Sequence, residues 1–454
     1  MWFFYFNFLF ILGGTVGMAK RENFKSRTGF ILSCIGAAVG LGNIWMFPYR
    51  LGQNGGAAFL IPYFIFVLLL GSTGLITEFA FGRKFKGGSA TGIITTFAEK
   101  NKKGGKLIAL IPVIGLAGVF MFYNIVVGWI MKYFAMSITG ELFSVDVNSF
   151  FTGFSGTSQT IIWNFIAIAL TLVIVYVGVT KGIETINSII MPALFVIFIL
   201  LAIRSLTLPG AMEGVKYLLN PKWEFLLKPN TWIMALGQAF FTVSLNGCGM
   251  VVYGSYMKDD FDIPRSALST AILDTIAALL ASFVIMPSVF AFNLDPMAGP
   301  PLLFITMPTI FKAMPGGRFI SIVFFLSLIF AAVSSSINML EGPVEALISQ
   351  TKLNRKKASI IIAIIGFILS IPLNLSMASF DNFTNFITII VSPLAALIVF
   401  LVFYYVGDSK EALLEINKGS SRELGSNFIY LAKYIFVIVT IVVIILGVIY
   451  GGIG

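Results

Sequence analysis

Two short stretches concentrate ion-binding chemistry inside an otherwise apolar chain. The first, GAAVGLGNIWMFP at 36–48, carries Gly36, Gly40, Gly42, Asn43 and Pro48 within a run that should be a membrane-spanning helix. The second, SLNGCG at 244–249, interrupts another apolar run in the same way. Glycine and proline weaken a helix interior, and the residue before a proline is pushed out of helical geometry. Irregular backbone at membrane depth is tolerated only where it lines a cavity inside the protein. The chemistry that such breaks permit is ion coordination. Freed carbonyls are hard oxygen ligands for an alkali cation, and a half-helix N-terminus, carrying about half a positive charge, faces an anionic group. The run Ser334-Ser335-Ser336 adds hydroxyls of the same hardness. Its plainer reading is serines bonded to the carbonyl four residues back at a helix contact. Other chemistries are excluded. The chain has no histidine, which removes Ser-His-Asp catalysis, HExxH zinc sites and His-ligated haem. Cys34 and Cys248, the only cysteines, read as small buried thiols. With no metal cluster and no nucleophile beside a base, the sequence does not describe an enzyme.

The elements that must hold these residues follow from composition. Of 454 residues, 58% are hydrophobic and 11% charged, where a soluble globular chain carries about 25% charged. The fold class is therefore an all-α polytopic membrane protein. Apolar segments of spanning length fall at 28–50, 58–82, 107–135, 160–179, 186–207, 231–256, 266–292, 318–348, 358–374, 383–406 and 428–450, eleven in all. The connections alternate in charge: one set holds 22 basic residues, the other seven. The rule that basic loops stay inside places the N-terminus in the cytoplasm and, with an odd span count, the C-terminus outside. The net charge of +10 is thus topology, not nucleic-acid binding, and the partner is the lipid bilayer of the cell membrane. Residues 1–17 are apolar, short for a span and without a basic leader, so the fold is expected to start at Met18. The Pro-rich, apolar connection 293–317 reads as an outer lid folding back over the protein, or as a loose loop. Gly182 and Pro192 bracket the start of the fifth span, marking a simple kink or a place where the helix unwinds. The two broken spans are the first and the sixth, and paired broken helices five apart point to a transporter site. A channel is the alternative, since broken helices also line pores. The residues leave sodium and proton coupling both open, because Asp274 is able to carry a proton.

RENFKSRTGFILSCIGAAVGLGNIWMFPYRLGQNGGAAFLIPY resembles the first helix of the neurotransmitter:sodium symporter family, GQAFFTVSLNGCGMVVYGSY its sixth and FAAVSSSINMLEGPVEAL its eighth. The likeness runs from about Arg21 to the eleventh span and is similar to the bacterial eleven-helix amino-acid transporters. It implies two inverted five-helix repeats, 18–207 and 208–406, followed by a cytoplasmic loop and helix 11 at 407–454. The function it implies is symport of an amino acid with sodium, at two sodium sites. One ion is expected among Ala38, Asn43, Thr242 and Asp274, the other among Gly36, Val39, Ala331, Ser334 and Ser335.

Gly40 stands where monoamine members carry an aspartate, so the resemblance points to a ligand bringing its own carboxylate. Substrate contacts would come from Ala38, Gly40, Gly42, Val119, Tyr123, Phe241, Thr242, Ser244, Gly247, Ser335, Ser336 and Met339. Tyr123 would reach the carboxylate and Phe241 would form a lid. Gly247, in place of a bulky phenylalanine, would enlarge the pocket for a large apolar or aromatic side chain. Gating falls to Arg21, Tyr123, Phe241 and Tyr256, and unwinding to Gly182 and Pro192. The sequence departs from the family pattern at Met46 and Thr384, the outer-gate pair, and at Ser349, which replaces an inner-gate aspartate. Chloride independence is expected, because Ala278 cannot hold the anion and Asp274 supplies a negative charge one helical turn away.

Overall fold

The computed structural model describes residues 22–296 and 302–452. The extension at 1–17 and Arg21 lie outside the described residues. Among the described residues every regular element is helical. The apolar runs become α1a (Arg27–Ala38) and α1b (Gly42–Gln53), α2 (Ala57–Phe85), α3 (Gly105–Thr139), α4 (Gln159–Val177) and α5 (Val179–Leu206). They continue as α6a (Pro229–Thr242) and α6b (Gly249–Ser255), then α7 (Ile263–Ala291), α8 (Gly317–Gln350), α9 (Arg355–Asn374), α10 (Met377–Val406) and α11 (Ser426–Tyr450). Nine of these described helices are long and apolar enough to cross a membrane, and ten spans result if the bent α1 pair counts as one. The expected eleventh, the sixth along the chain, is in two pieces of 14 and 7 residues, each short for a crossing.

The bilayer as solvent explains which spans sit where. In its most apolar window α3 is 83% buried, whereas α5 and α11 are 33% buried. Ile189 and Val196 of α5 and Ile438 and Ile449 of α11 are exposed, as lipid-facing side chains should be. The centre belongs to α1, α3, α6 and α8, the helices that carry the polar stretches.

Both breaks have local causes. α1a ends at Ala38, Val39 turns extended (φ −69°, ψ 100°), and α1b sets off at 62° to α1a. α6a ends at Thr242, and Ser244 and Gly247 both adopt positive φ, +56° and +67°. Asn246 then restarts the helix: its Oδ1 accepts from the amides of Cys248 (3.1 Å) and Gly249 (2.8 Å), the donors an N-terminus leaves unpaired.

α6b is fixed to α2 by backbone contact. A Cβ on Gly82 would lie 1.9 Å from the Val251 carbonyl oxygen, and one on Gly254 would lie 2.5 Å from that of Phe79. Only glycine allows this approach, the membrane analogue of small-residue helix packing. Past this crossing the Arg83 guanidinium is fully buried, paired with Glu415 at 2.6 Å and donating to the Phe261 carbonyl at 2.7 Å. Glu345 of α8 accepts from the Gly88 amide at 2.9 Å, which holds the turn after α2.

The expected lid at 293–317 is ordered on its described part: Leu302–Ala313 is a short apolar helix. Phe304 stacks on Phe151 with centroids 5.2 Å apart and meets Trp129 and Tyr133 of α3 edge-on. Residues 297–301 of that connection lie outside the described residues.

Candidate functional site

The two breaks face one another: Ser244 Oγ donates to the Ala37 carbonyl at 3.0 Å. On one side of the α1 break, the five residues expected to hold the second ion meet. Ser335 Oγ lies 3.1 Å from the Gly36 carbonyl, 3.2 Å from that of Val39 and 3.2 Å from that of Ala331. Ser334 Oγ donates to the same Ala331 carbonyl at 2.8 Å. All are buried. The extended turn at Val39 frees the α1a carbonyls, and the long α8 presents its serines to them.

On the other side, Asn43, Thr242 and Asp274 form a second knot, each 1% exposed or less. Asn43 Nδ2 donates to Asp274 Oδ1 at 2.8 Å and to Thr242 Oγ1 at 3.0 Å, and Thr242 Oγ1 donates to Asp274 Oδ2 at 2.6 Å. Asn43 Oδ1 accepts from the Gly40 amide at 3.1 Å across the break. Ala38, also expected at this ion, is the last residue of α1a. The Ser335 cluster offers carbonyl and hydroxyl oxygens and the Asp274 knot a carboxylate and a hydroxyl, chemistry that fits an alkali cation, while Asn43 turns its Nδ2 into the knot and its Oδ1 to the Gly40 amide.

Between the clusters, the Tyr123 hydroxyl is buried with no hydrogen bond of good geometry among the described residues, its nearest polar neighbours being Ser335 and the Leu41 backbone. It lies 3.0 Å from where a Cβ on Gly40 would sit, and Ser335 Oγ is 3.1 Å from the same point. A side chain at position 40 would fill this space, so glycine keeps it free. Phe241 crosses above: its Cε1 is 2.8 Å from a Cβ placed on Gly42. Phe241, the expected lid, is 39% exposed. Val119 and Met339 are half-buried on α3 and α8.

Two expected pocket residues face elsewhere. A Cβ on Gly247 would meet the Ala395 carbonyl oxygen of α10 at 2.2 Å, so the missing side chain opens no pocket. Its amide donates to Glu78 Oε1 at 2.9 Å, and its positive φ makes glycine the residue that fits. The Ser336 hydroxyl is bonded to Asn124 Oδ1 and Thr171 Oγ1, both at 2.9 Å, and serves the packing of α3, α4 and α8.

Of the expected inner-gate residues, Arg21 lies outside the described residues and Tyr256 is bonded to Glu341. Among the described residues Ser349 bonds locally, to the Ala346 carbonyl at 3.3 Å. Glu341 centres a buried cluster: its carboxylate accepts the Tyr256 hydroxyl and a fork from Arg355, Nη1–Oε2 2.7 Å and Nη2–Oε1 2.9 Å. Sequence reasoning missed Arg355. The available signal was Glu341 itself, since a carboxylate inside a span requires a partner. At the opposite end, Arg50, one turn past Met46, is buried with its guanidinium 3.5 Å from Gln238 Oε1. Gly182, an expected unwinding point, has a nearer structural role: a Cβ there would lie 2.1 Å from the Ile174 carbonyl oxygen of α4. Pro192 lies inside the regular helix Thr185–Leu206.

The model of the sodium:neurotransmitter symporter family matches residues 21–161 and 152–451. The chain belongs to that family. The symporter is similar to an uncharacterized sodium-dependent transporter, YhdH, of Bacillus subtilis (strain 168), 35% identical over 93% of this chain and 97% of the relative. It is also similar to the sodium-dependent serotonin transporter of Drosophila melanogaster, 29% identical over 86% of this chain and 70% of that one. Among solved structures it matches the crystal structure of MhsT in complex with L-phenylalanine, with TM-score 0.83 and 36% identity, over 94% of this chain and 99% of that one. The symporter is a multi-pass, sodium-dependent membrane transporter.

Proposed function

We propose that this protein moves a large apolar or aromatic amino acid into the cell together with two sodium ions, by alternating access and without chloride. The observation that carries the reading is the pair of buried oxygen clusters on either side of the α1 break, one around Ser335 and one around Asp274. The substrate carboxylate would sit between them, received by the Tyr123 hydroxyl and by amides at the break. With Gly40 in place of a carboxylate, an amine alone lacks its counter-charge, whereas an amino acid supplies one. Val119, Met339 and Phe241 would form the side-chain pocket. The similarity to MhsT, solved with L-phenylalanine, supports an aromatic substrate.

Asp274 is the chemical reason for leaving chloride out. A carboxylate beside a bound sodium ion is paired, and it adds the negative charge that an anion would otherwise supply. When sodium leaves, the same carboxylate is able to take a proton, so proton antiport is a second reading resting on that residue. The basic loops on one side support an N-terminus inside and a C-terminus outside.

Two sodium ions crossing ~100 mV supply about 2.3 kcal/mol each, and a tenfold gradient adds about 1.4 kcal/mol per ion. Together these support accumulation of a zwitterion on the order of 10⁵-fold. The test is uptake of all twenty amino acids into proteoliposomes. Uptake should need sodium and favour phenylalanine and its apolar neighbours. Equal uptake with choline replacing sodium would refute the coupling.

A further inference from the structure

The polar face that α5 turns toward α1a has no part in the reading above. Asn187 is fully buried there, five residues after Gly182 and five before Pro192. Its Nδ2 donates to the Ile183 carbonyl one turn back at 2.9 Å. Its other polar atom, Oδ1, has no hydrogen-bond partner among the described residues. That oxygen points at the Ser335 cluster: a Cβ on Gly36 would lie 2.4 Å from it and 3.0 Å from Ser334 Cβ. Gly36 and Ser334 both belong to the second expected ion site. Buried acceptors are almost always paired, and an exception calls for an explanation.

One turn earlier on the same face stands Glu184, 6% exposed. Its Oε2 accepts from the Lys25 amide at 2.7 Å, and its Oε1 from the Ser26 amide and hydroxyl, both at 3.0 Å. α5 thus offers α1a a neutral amide oxygen beside the ion cluster and a carboxylate at the start of the helix, with Gly29 and Gly36 making room for them.

We propose that Asn187 Oδ1 is a transit ligand for sodium: it takes the ion as it leaves the Ser335 cluster and passes it along α5 toward Glu184. Both oxygens are hard donors matched to an alkali cation. An ion leaves a deep site readily when successive weaker sites stand along its path. Local unwinding between Gly182 and Pro192 would break the Asn187–Ile183 bond and free the amide to turn with the ion. The inference rests on the sodium reading of the Ser335 cluster.

The competing role is packing alone, with Oδ1 accepting a weak contact from the Gly36 Cα hydrogen. The two roles predict opposite signs. Removing a packing contact loosens α5 and speeds release, whereas removing a transit ligand slows it. The experiment follows dissociation of radioactive sodium from purified protein held with excess L-phenylalanine, after dilution into sodium-free buffer. Asn187→Ala and the near-isosteric Asn187→Leu should keep equilibrium sodium binding yet release it about tenfold more slowly, the effect of one lost oxygen contact on the barrier. Release as fast as wild type, or faster, in both variants overturns the proposal. A wild-type protein that binds no radioactive sodium overturns the sodium reading beneath it, which separates the two failures.

Discussion

Asp274 is the residue on which the ion chemistry turns. It is fully buried, and the groups bonded to it are an amide and a hydroxyl, neither of which carries charge. A buried carboxylate in that setting is stable with a cation or a proton beside it. Asp274→Asn keeps the shape and removes the charge. The expected outcome is a loss of about tenfold or more in apparent sodium affinity, while wild-type uptake is the same in gluconate as in chloride medium. Transport by wild type that stops without chloride would show that Asp274 does not replace the anion. At this scale the sequence was legible where residue type alone limits chemistry. Asn43, Thr242, Asp274, Ser334 and Ser335 were expected to hold ions, and the structure brings them into two clusters. It was not legible where a side chain's direction depends on a distant helix. Ser336 turns to Asn124 and Thr171, which lie 212 and 165 residues away. Gly247 is held against the backbone of α10, a neighbour no local pattern reveals.

Most helix limits were readable to within four residues, because hydrophobic length and basic loops are properties of the chain itself, but α5 and α10 begin seven and six residues before their expected starts. The place of each break was readable too, in glycine spacing, whereas Pro48 sits inside α1b with Phe47 before it still helical (φ −60°, ψ −48°). What a segment does in motion is a different matter, and α5 shows it. Gly182 lets α5 come close to the backbone of α4, so the Gly182–Pro192 segment is tightly seated even though proline removes one ladder bond. Unwinding there must overcome that contact. Pro192→Ala restores the missing donor and strengthens the helix by about 3 kcal/mol. Turnover should therefore fall, with substrate affinity largely kept. Uptake and binding measured side by side on this variant give the answer, and unchanged turnover would leave Pro192 a simple kink. Asn187 and Glu184 were invisible as functional residues because each is ordinary in a helix, and only the packing of α5 on α1a gives them a role.

At one end of the molecule three helices meet on a single group. Tyr256 follows α6b, Glu341 belongs to α8 and Arg355 opens α9, and a single buried carboxylate joins them. The Phe24 amide donates to the Tyr256 carbonyl at 3.0 Å, which ties the segment before α1a to the same point. Removing one partner of a buried ion pair costs about 3–5 kcal/mol. Arg355→Gln should thus destabilise this arrangement, raise amide hydrogen exchange across α1a and α6b, and weaken substrate binding. Exchange in α1a that matches wild type would show that the cluster does not act as a gate. The contact of α2 with α6b bears on this motion. Gly82 and Gly254 leave no side chain at the crossing to slide or repack, so α2 and α6b meet backbone to backbone. Glu78 of α2 also holds the Gly247 amide in the loop 243–248. A displacement of α2 would therefore be felt at the turn that adjoins the two oxygen clusters.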